Sequence, residues 1–348
     1  MTEISSQREK VLRQVLALYP CTPLRITQIK GGFVNQTYLI ETKQGRFVLR
    51  SSSAEKTLAH LNFEISILRY LQTHNFSLTA HIIKNKKGGY YIKAKRNLYI
   101  LQSCLPGRGV ASWLDLKGLT LPRLRSYFAA TAKFSGAIRG FKGRGPLSAK
   151  NIGQIAATAH SQFDTYMRPM PSSPGKRLLL EKKNELKAFF SETVRLLETS
   201  NYKTQPRQIV HFDLQPGNFH FTGNAVVGLF DFDWARTDSR LVDLAATICQ
   251  SCYHDRGPKA GLYKPSYIQA GLVAYLKAWR EKKPADIQNL VQLMPAIQRA
   301  YDTYQFLFIM EWYGKNLRAP QALKLLRQFI NLQLANDHAR IFEQALSK

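Results

Sequence analysis

His211-Phe212-Asp213-Leu214-Gln215-Pro216-Gly217-Asn218, followed by Leu229-Phe230-Asp231-Phe232-Asp233-Trp234, is the stretch on which the reading of this chain turns. The first segment has the form H-x-D-x-x-x-x-N, and the second is an apolar run that delivers an acid. Ile209 and Val210, just ahead of His211, read as the end of a short strand. Pro216-Gly217 breaks any helix and predicts a loop between Asp213 and Asn218. Ala225 to Phe230 is apolar and rich in β formers, so a second strand is expected to place Asp231 at its end. Loop, strand and acid in that order suit phosphoryl transfer. One carboxylate orients the acceptor hydroxyl, while an amide and a second carboxylate hold Mg²⁺ on the nucleotide phosphates. The pattern implies an ATP-dependent kinase.

With Arg240-Leu241-Val242-Asp243-Leu244-Ala245 added, the spacing from Asp213 to Asp231 to Asp243 resembles the aminoglycoside phosphotransferase, homoserine kinase and choline kinase superfamily. The resemblance implies a protein-kinase-like fold and a role for each matching position. Asp213 would be the catalytic carboxylate, and Asn218 and Asp231 the metal ligands. Asp243 would sit at a helix start and brace the catalytic loop through backbone N–H groups. Asp233 has two readings, a second ligand or an exposed loop acid. His211 reads as a structural loop residue rather than a base, because Asp213 already fills that role.

The N-terminal part should then hold ATP. Ile29-Lys30-Gly31-Gly32-Phe33-Val34-Asn35-Gln36-Thr37-Tyr38 places Gly31 and Gly32 between strand-like segments, with Asn35 close behind. Glycine lets backbone N–H groups approach phosphate, although Gly-Gly also marks an ordinary turn. Thr37 to Glu41 and Phe47 to Arg50 form a hairpin about Lys43-Gln44-Gly45. In kinases the third strand carries a Lys for the α- and β-phosphates, and here that position offers Arg50, which can hold phosphate bidentately. Leu58, Leu61, Ile65, Leu68 and Leu71 predict a helix. Glu64 within it either pairs with Arg50, as the family's helix Glu does, or is solvated. Ala80 to Lys84, Tyr90 to Ala94 and Leu98 to Leu101 read as three further strands. Gln102 to Gly107 falls where kinases connect their lobes, so backbone groups near Ser103 and Leu105 would contact adenine.

The expected fold is α+β and bilobal. Residues 1–105 form an antiparallel β-rich N-terminal lobe, opened by an amphipathic helix with Val11, Leu12, Val15, Leu16 and Leu18 on its apolar side. Residues 106–348 form a mainly helical C-terminal lobe holding the catalytic loop and the acceptor. A chain of 348 residues exceeds one typical core and suits two. The cleft between the lobes is the expected active site.

Composition sets the surroundings. No apolar run reaches 18 residues and the start of the chain is polar, so a signal peptide or membrane span is not expected and the reading is a soluble cytoplasmic protein. Four cysteines make no disulfide framework. Cys249 and Cys252 have C-x-x-C spacing with His254 just beyond, and read as buried helix cysteines ahead of a zinc or redox site. The net charge is +27 and is spread along the chain. Lys84, Lys86, Lys87, Lys93, Lys95 and Arg96 cluster on one predicted hairpin, and Arg139, Lys142 and Arg144 in a Gly-rich loop. Each reads as a solvated face or, alternatively, as a contact for an anionic partner. So basic a chain would repel polycationic aminoglycosides unless its cleft is locally acidic.

The acceptor is read as a small hydroxyl compound. Tyr301-Asp302-Thr303-Tyr304-Gln305-Phe306-Leu307-Phe308-Ile309-Met310-Glu311-Trp312-Tyr313 is aromatic with acids at 302 and 311. It reads as a buried helix, or as an aromatic wall with a carboxylate for an amino-alcohol such as homoserine or choline. A stress-type protein Ser/Thr kinase and a catalytically weak nucleotide-binding protein remain alternatives. Gln215 stands where protein kinases usually carry Lys, and only eleven residues separate Asp231 from Asp243, too few for an activation segment. Both points favour the small acceptor.

Overall fold

The computed structural model describes residues 4–29, 35–52, 57–112, 115–143, 149–280 and 282–346. Gly31, Gly32 and Arg144 lie outside them. The chain opens with helix α1 (Ser6–Leu16), then strands β1 (Arg25–Ile29), β2 (Gln36–Thr42) and β3 (Gly45–Ser51). Helix α2 (Leu58–Thr73) follows, then β4 (Ile92–Ala94) and β5 (Asn97–Ser103). The five strands make one antiparallel sheet in the order β1-β2-β3-β5-β4.

Alternation along the strands decides what each face carries. Tyr38, Ile40, Leu49, Tyr99 and Leu101 point to one side and close a core with Leu12, Val15, Leu16 and Tyr19 from the α1 region. Leu18 is exposed and Tyr19 takes the buried place. Because Leu49 faces that core, its neighbour Arg50 turns to the opposite face, toward α2. There Ile100 packs on Leu61 and Ile65. The helix begins where the Thr57 hydroxyl accepts the His60 N–H. Its Phe63, Ile67, Leu68 and Leu71 belong to the large core of the rest of the chain, so α2 joins the two halves.

The segment expected as a strand at 80–84 is not one. The outer edge of β5 is shared: β4 takes Asn97–Tyr99, and residues 81–83 take the remainder through one bridge, Ile82 to Gln102. Two short pieces therefore divide an edge that one strand would fill.

The C-terminal lobe contains α3 (Leu121–Ala137), α4 (Ile152–Ala157), α5 (Ala159–Met167), α6 (Pro174–Glu181) and α7 (Lys183–Thr199). Strands β6 (Arg207–Val210), β7 (Phe219–Thr222), β8 (Ala225–Leu229) and β9 (Arg236–Ser239) pair as β6-β9 and β7-β8, both antiparallel. Helices α8 (Leu241–Ser251), α9 (Pro265–Ala278), α10 (Pro284–Lys315), α11 (Pro320–Leu334) and α12 (His338–Leu346) complete it. Helix α9 packs tightly on α3 because position 271 is glycine: a Cβ there would lie 2.6 Å from the Phe128 ring. Helix α10 places Leu293, Ile297, Tyr301 and Met310 in the core. Cys249 and Cys252 are fully buried, and burial pushes both thiols up. Among the described residues, no helix is long and apolar enough to cross a membrane. The fold is α+β and bilobal: a five-stranded antiparallel sheet with its helices, then a larger helical unit.

Candidate active site

The catalytic loop begins where β6 ends. Val210 pairs with Arg236 on β9, so the chain leaves the sheet at His211. Phe212 then adopts φ 70°, a left-handed conformation that costs a side-chain-bearing residue about 1–2 kcal/mol. Surrounding contacts hold it there. Asp243, in the first turn of α8, accepts the backbone N–H of His211 at 3.0 Å and of Phe212 at 2.9 Å. The Tyr301 hydroxyl donates to the Phe212 carbonyl at 2.8 Å, and the Tyr127 hydroxyl donates to that of Leu214. The His211 ring is buried, with Nε2 3.0 Å from the Phe230 carbonyl. Burial lowers its pKa to about 4, so the ring is neutral and fastens the end of β8 to the loop.

Asp213 projects from this braced loop. Its Oδ2 accepts the Asn218 side-chain amide at 2.9 Å and that of Gln215 at 3.3 Å. Burial and the nearby Asp233 raise its pKa, and those two hydrogen bonds oppose the rise. The Asn218 amide also reaches the Asp213 carbonyl at 2.8 Å, so its Oδ1 is the atom left to act as a ligand. The Asn218 carbonyl in turn accepts the Phe230 N–H at 3.1 Å, which ties the loop to the residue before Asp231.

Asp231 sits at φ 70°, ψ 66°, a region aspartate tolerates better than most residues. Its Oδ1 is buried and has no hydrogen-bond partner among the described residues. Burial, Asp233, Asp213 and Glu64 push its carboxyl up to about 7, and only Arg50 pulls the other way. Asp233, open in the sequence between ligand and exposed acid, is largely enclosed. Its Oδ1 lies 3.0 Å from an Arg50 nitrogen, and its Oδ2 accepts the Asn35 amide at 2.6 Å. Arg50 also pairs with Glu64 on α2, which is 1% exposed. One guanidinium therefore holds two carboxylates from distant parts of the chain, and its charged form is strongly favoured.

An acid cluster with an orphaned buried oxygen suits a divalent cation, whose charge would relieve the repulsion. No group of three or more His, Cys, Asp or Glu able to hold a metal is present among the described residues.

At the lobe connection, the Ser103 N–H is given to the His81 carbonyl and the Cys104 N–H to Arg46, both within the sheet. The Leu105 N–H makes no hydrogen bond among the described residues. The chain then turns at Gly107, φ 75°, and Arg108 pairs with Phe221. A Cβ at 107 would lie 2.7 Å from the Phe221 carbonyl oxygen, so the turn requires glycine.

Helix α10 backs the catalytic loop at Phe212. The Tyr304 ring packs edge-on against Phe212 at 4.8 Å. Arg236 stacks over the opposite partner of that ring system, 3.7 Å from the Phe212 centroid. Of the acids proposed for the acceptor wall, Asp302 is not there. It is fully buried, bound by Tyr263 at 2.7 Å, Gln298 at 2.8 Å and His338 at 2.7 Å. Helical spacing turns position 302 away from the face shared by Tyr301 and Tyr304. Glu311 pairs with Lys315 and hydrogen-bonds Tyr166. The sequence singles out Asn35 and Tyr301 for other roles, and their contacts with Asp233 and the Phe212 carbonyl, like that of Arg236 with Phe212, have no local signature.

Residues 25–285 match the family model described as the phosphotransferase enzyme family. Among curated relatives, the homoserine kinase of Polaromonas naphthalenivorans is 23% identical over 284 residues, covering 78% of this chain and 76% of its own length. That of Methylorubrum populi is 27% identical over 274 residues, covering 74% and 73%. Among solved structures, amicoumacin kinase hAmiN superposes with a TM-score of 0.67 at 15% identity, over 97% of this chain and 93% of its own. The microcompartment-associated aminopropanol kinase superposes at 0.65 and 15%, over 97% and 99%. These structures share the fold. Since the family match spans well over half of its length, the chain belongs to the phosphotransferase enzyme family.

Proposed function

We propose that the protein is a kinase that uses ATP and Mg²⁺ to phosphorylate the hydroxyl of a small molecule, of homoserine or amino-alcohol type rather than an aminoglycoside. The observation that carries this reading is the meeting of Asp213, Asn218, Asp231 and the Arg50–Glu64 pair around one orphaned carboxylate oxygen. The homoserine kinase relatives and the aminopropanol kinase fold support the class of acceptor. The charge of +27 weighs against a polycation.

In this reading the residues up to about 105 carry the nucleotide and the remainder carries the acceptor, in the cytoplasm. Gly31, Gly32 and the backbone at Ser103 and Leu105 serve phosphate and adenine, and Asn218 Oδ1 with Asp231 would hold the metal. When bound, the metal neutralises charge on the phosphates. Asp213 accepts a hydrogen bond from the acceptor hydroxyl and aligns it with the γ-phosphorus. The hydroxyl oxygen forms the new P–O bond, the bond from phosphorus to the β,γ-bridging oxygen breaks, and ADP departs. The hydroxyl proton passes to Asp213. Asn218 and Gln215 aim that carboxylate, and their hydrogen bonds favour its charged form. Arg50 uses two N–H groups on Glu64 and Asp233, which leaves others for phosphate.

The test is ADP release from MgATP across small hydroxyl compounds, including L-homoserine, 1-amino-2-propanol and choline, with wild type and Asp213→Asn. Turnover that requires one such compound and falls with the variant supports the reading. ATP turnover that ignores every acceptor and survives Asp213→Asn would sink it.

A further inference from the structure

Arg236 is 6% exposed and stacks on Phe212, the residue next to Asp213 in the catalytic loop. A buried guanidinium normally has a carboxylate or several hydrogen bonds to offset its desolvation. This one has two bonds, both to neutral carbonyls: Nε to Trp234 at 3.1 Å and Nη1 to Lys150 at 2.8 Å. Its second terminal nitrogen makes no hydrogen bond among the described residues, and no carboxylate pairs with it there. Asp238, two positions on, is already spent on Tyr202, Arg207 and the N–H groups of Ile152 and Ser239.

The position of this charge is fixed from three sides. Stacking on Phe212 sets the plane of the guanidinium against the loop that bears Asp213. The Lys150 carbonyl holds one end. The Trp234 carbonyl holds Nε at 3.1 Å, and Tyr304 packs edge-on against the same Phe212 ring. A planar fork fixed in this way matches a carboxylate.

We propose that Arg236 binds a carboxylate on the acceptor, so that the substrate is a hydroxy acid of the homoserine kind and not a simple amino-alcohol. This rests on the small-molecule kinase reading and sharpens it. The same residue then explains how one site separates acceptors that share the hydroxyl. A compound without the carboxylate would leave a buried cation unpaired, and sites built around a polar group reject the analogue that lacks it.

The experiment compares L-homoserine with 3-amino-1-propanol, the same compound without its carboxylate, at saturating MgATP. In wild type, kcat/KM for L-homoserine should exceed that for the amino-alcohol about 100-fold or more. In Arg236→Gln this ratio should collapse to within about threefold, mostly through KM for L-homoserine. A purely structural Arg236 would lower both substrates together and leave the ratio alone, which overturns the proposal. Arg236→Lys keeps the charge but not the fork, and should give an intermediate ratio even if the Gln variant fails to fold. A wild type that phosphorylates the amino-alcohol as well as or better than L-homoserine overturns the carboxylate assignment and leaves the kinase reading standing. A wild type that shows a Mg²⁺-dependent thermal shift with ATP yet phosphorylates neither compound nor any other small alcohol overturns both.

Discussion

Arg50 and Asp233 lie 183 positions apart in sequence and 3.0 Å apart in the fold, in a pair 12% exposed on each side. Because Arg50 also holds Glu64, this contact ties β3, α2 and the turn after Asp231 into one unit. The β-rich lobe and the acid cluster are therefore coupled through the Arg50 guanidinium, beside the Asn35 amide that also donates to Asp233.

Replacing it should be severe. Arg50→Gln takes a cation from two largely buried carboxylates, Glu64 and Asp233, so a loss of about 3–5 kcal/mol is expected in chemical denaturation. The double variant Arg50→Met with Glu64→Leu should recover most of that stability, since an apolar pair is often neutral or better. Activity should stay low in both. Stability that does not recover in the double variant would contradict this account.

Asp213→Asn keeps the shape of the carboxylate and removes its ability to take a proton. We expect kcat to fall about 10²- to 10⁴-fold, with the ATP-dependent thermal shift kept. Loss of the shift along with activity would mean that Asp213 is needed for nucleotide binding or folding instead.

Asp243 contributes to the pH dependence of stability. Burial raises its carboxyl to about 7, with the N–H groups of Phe212 and His211 opposing the rise. In the unfolded chain the same group titrates near the ordinary value of about 3.9. Between these values the folded state binds the extra proton, so this group's contribution falls as pH rises from about 4 to about 7 and is flat above. Asp243→Asn should make that slope shallower in a plot of Tm against pH, the remainder coming from Asp231, whose carboxyl is also raised to about 7. It should also lower kcat roughly tenfold by loosening the loop at Phe212. An unchanged slope in the variant would refute the assignment.

Gly107→Ala tests the lobe connection. The added methyl meets the Phe221 carbonyl, and φ 75° is unfavourable for alanine. A loss of about 1–2 kcal/mol is expected, with KM for ATP raised more than KM for the acceptor. Equal effects on both constants would place the turn outside the nucleotide site.

The sequence was sufficient for whatever depends on short spacing. The break at Pro216-Gly217 does form a tight turn, and the apolar run does become β8, ending just short of Asp231. The leucine spacing from Leu58 to Leu71 does form α2. Backbone periodicity and turn chemistry act over a few residues, so they are legible in the chain alone. Tertiary structure decided the rest. It divided the edge of β5 between two pieces, turned Asp302 into the core, and paired Asp233, open in the sequence between ligand and exposed acid, with Arg50. It also left Arg236 buried against Phe212 without an acid. Each of these depends on which side chains meet after long loops close. That is settled by packing and by pairing buried charges, and neither leaves a period in the sequence.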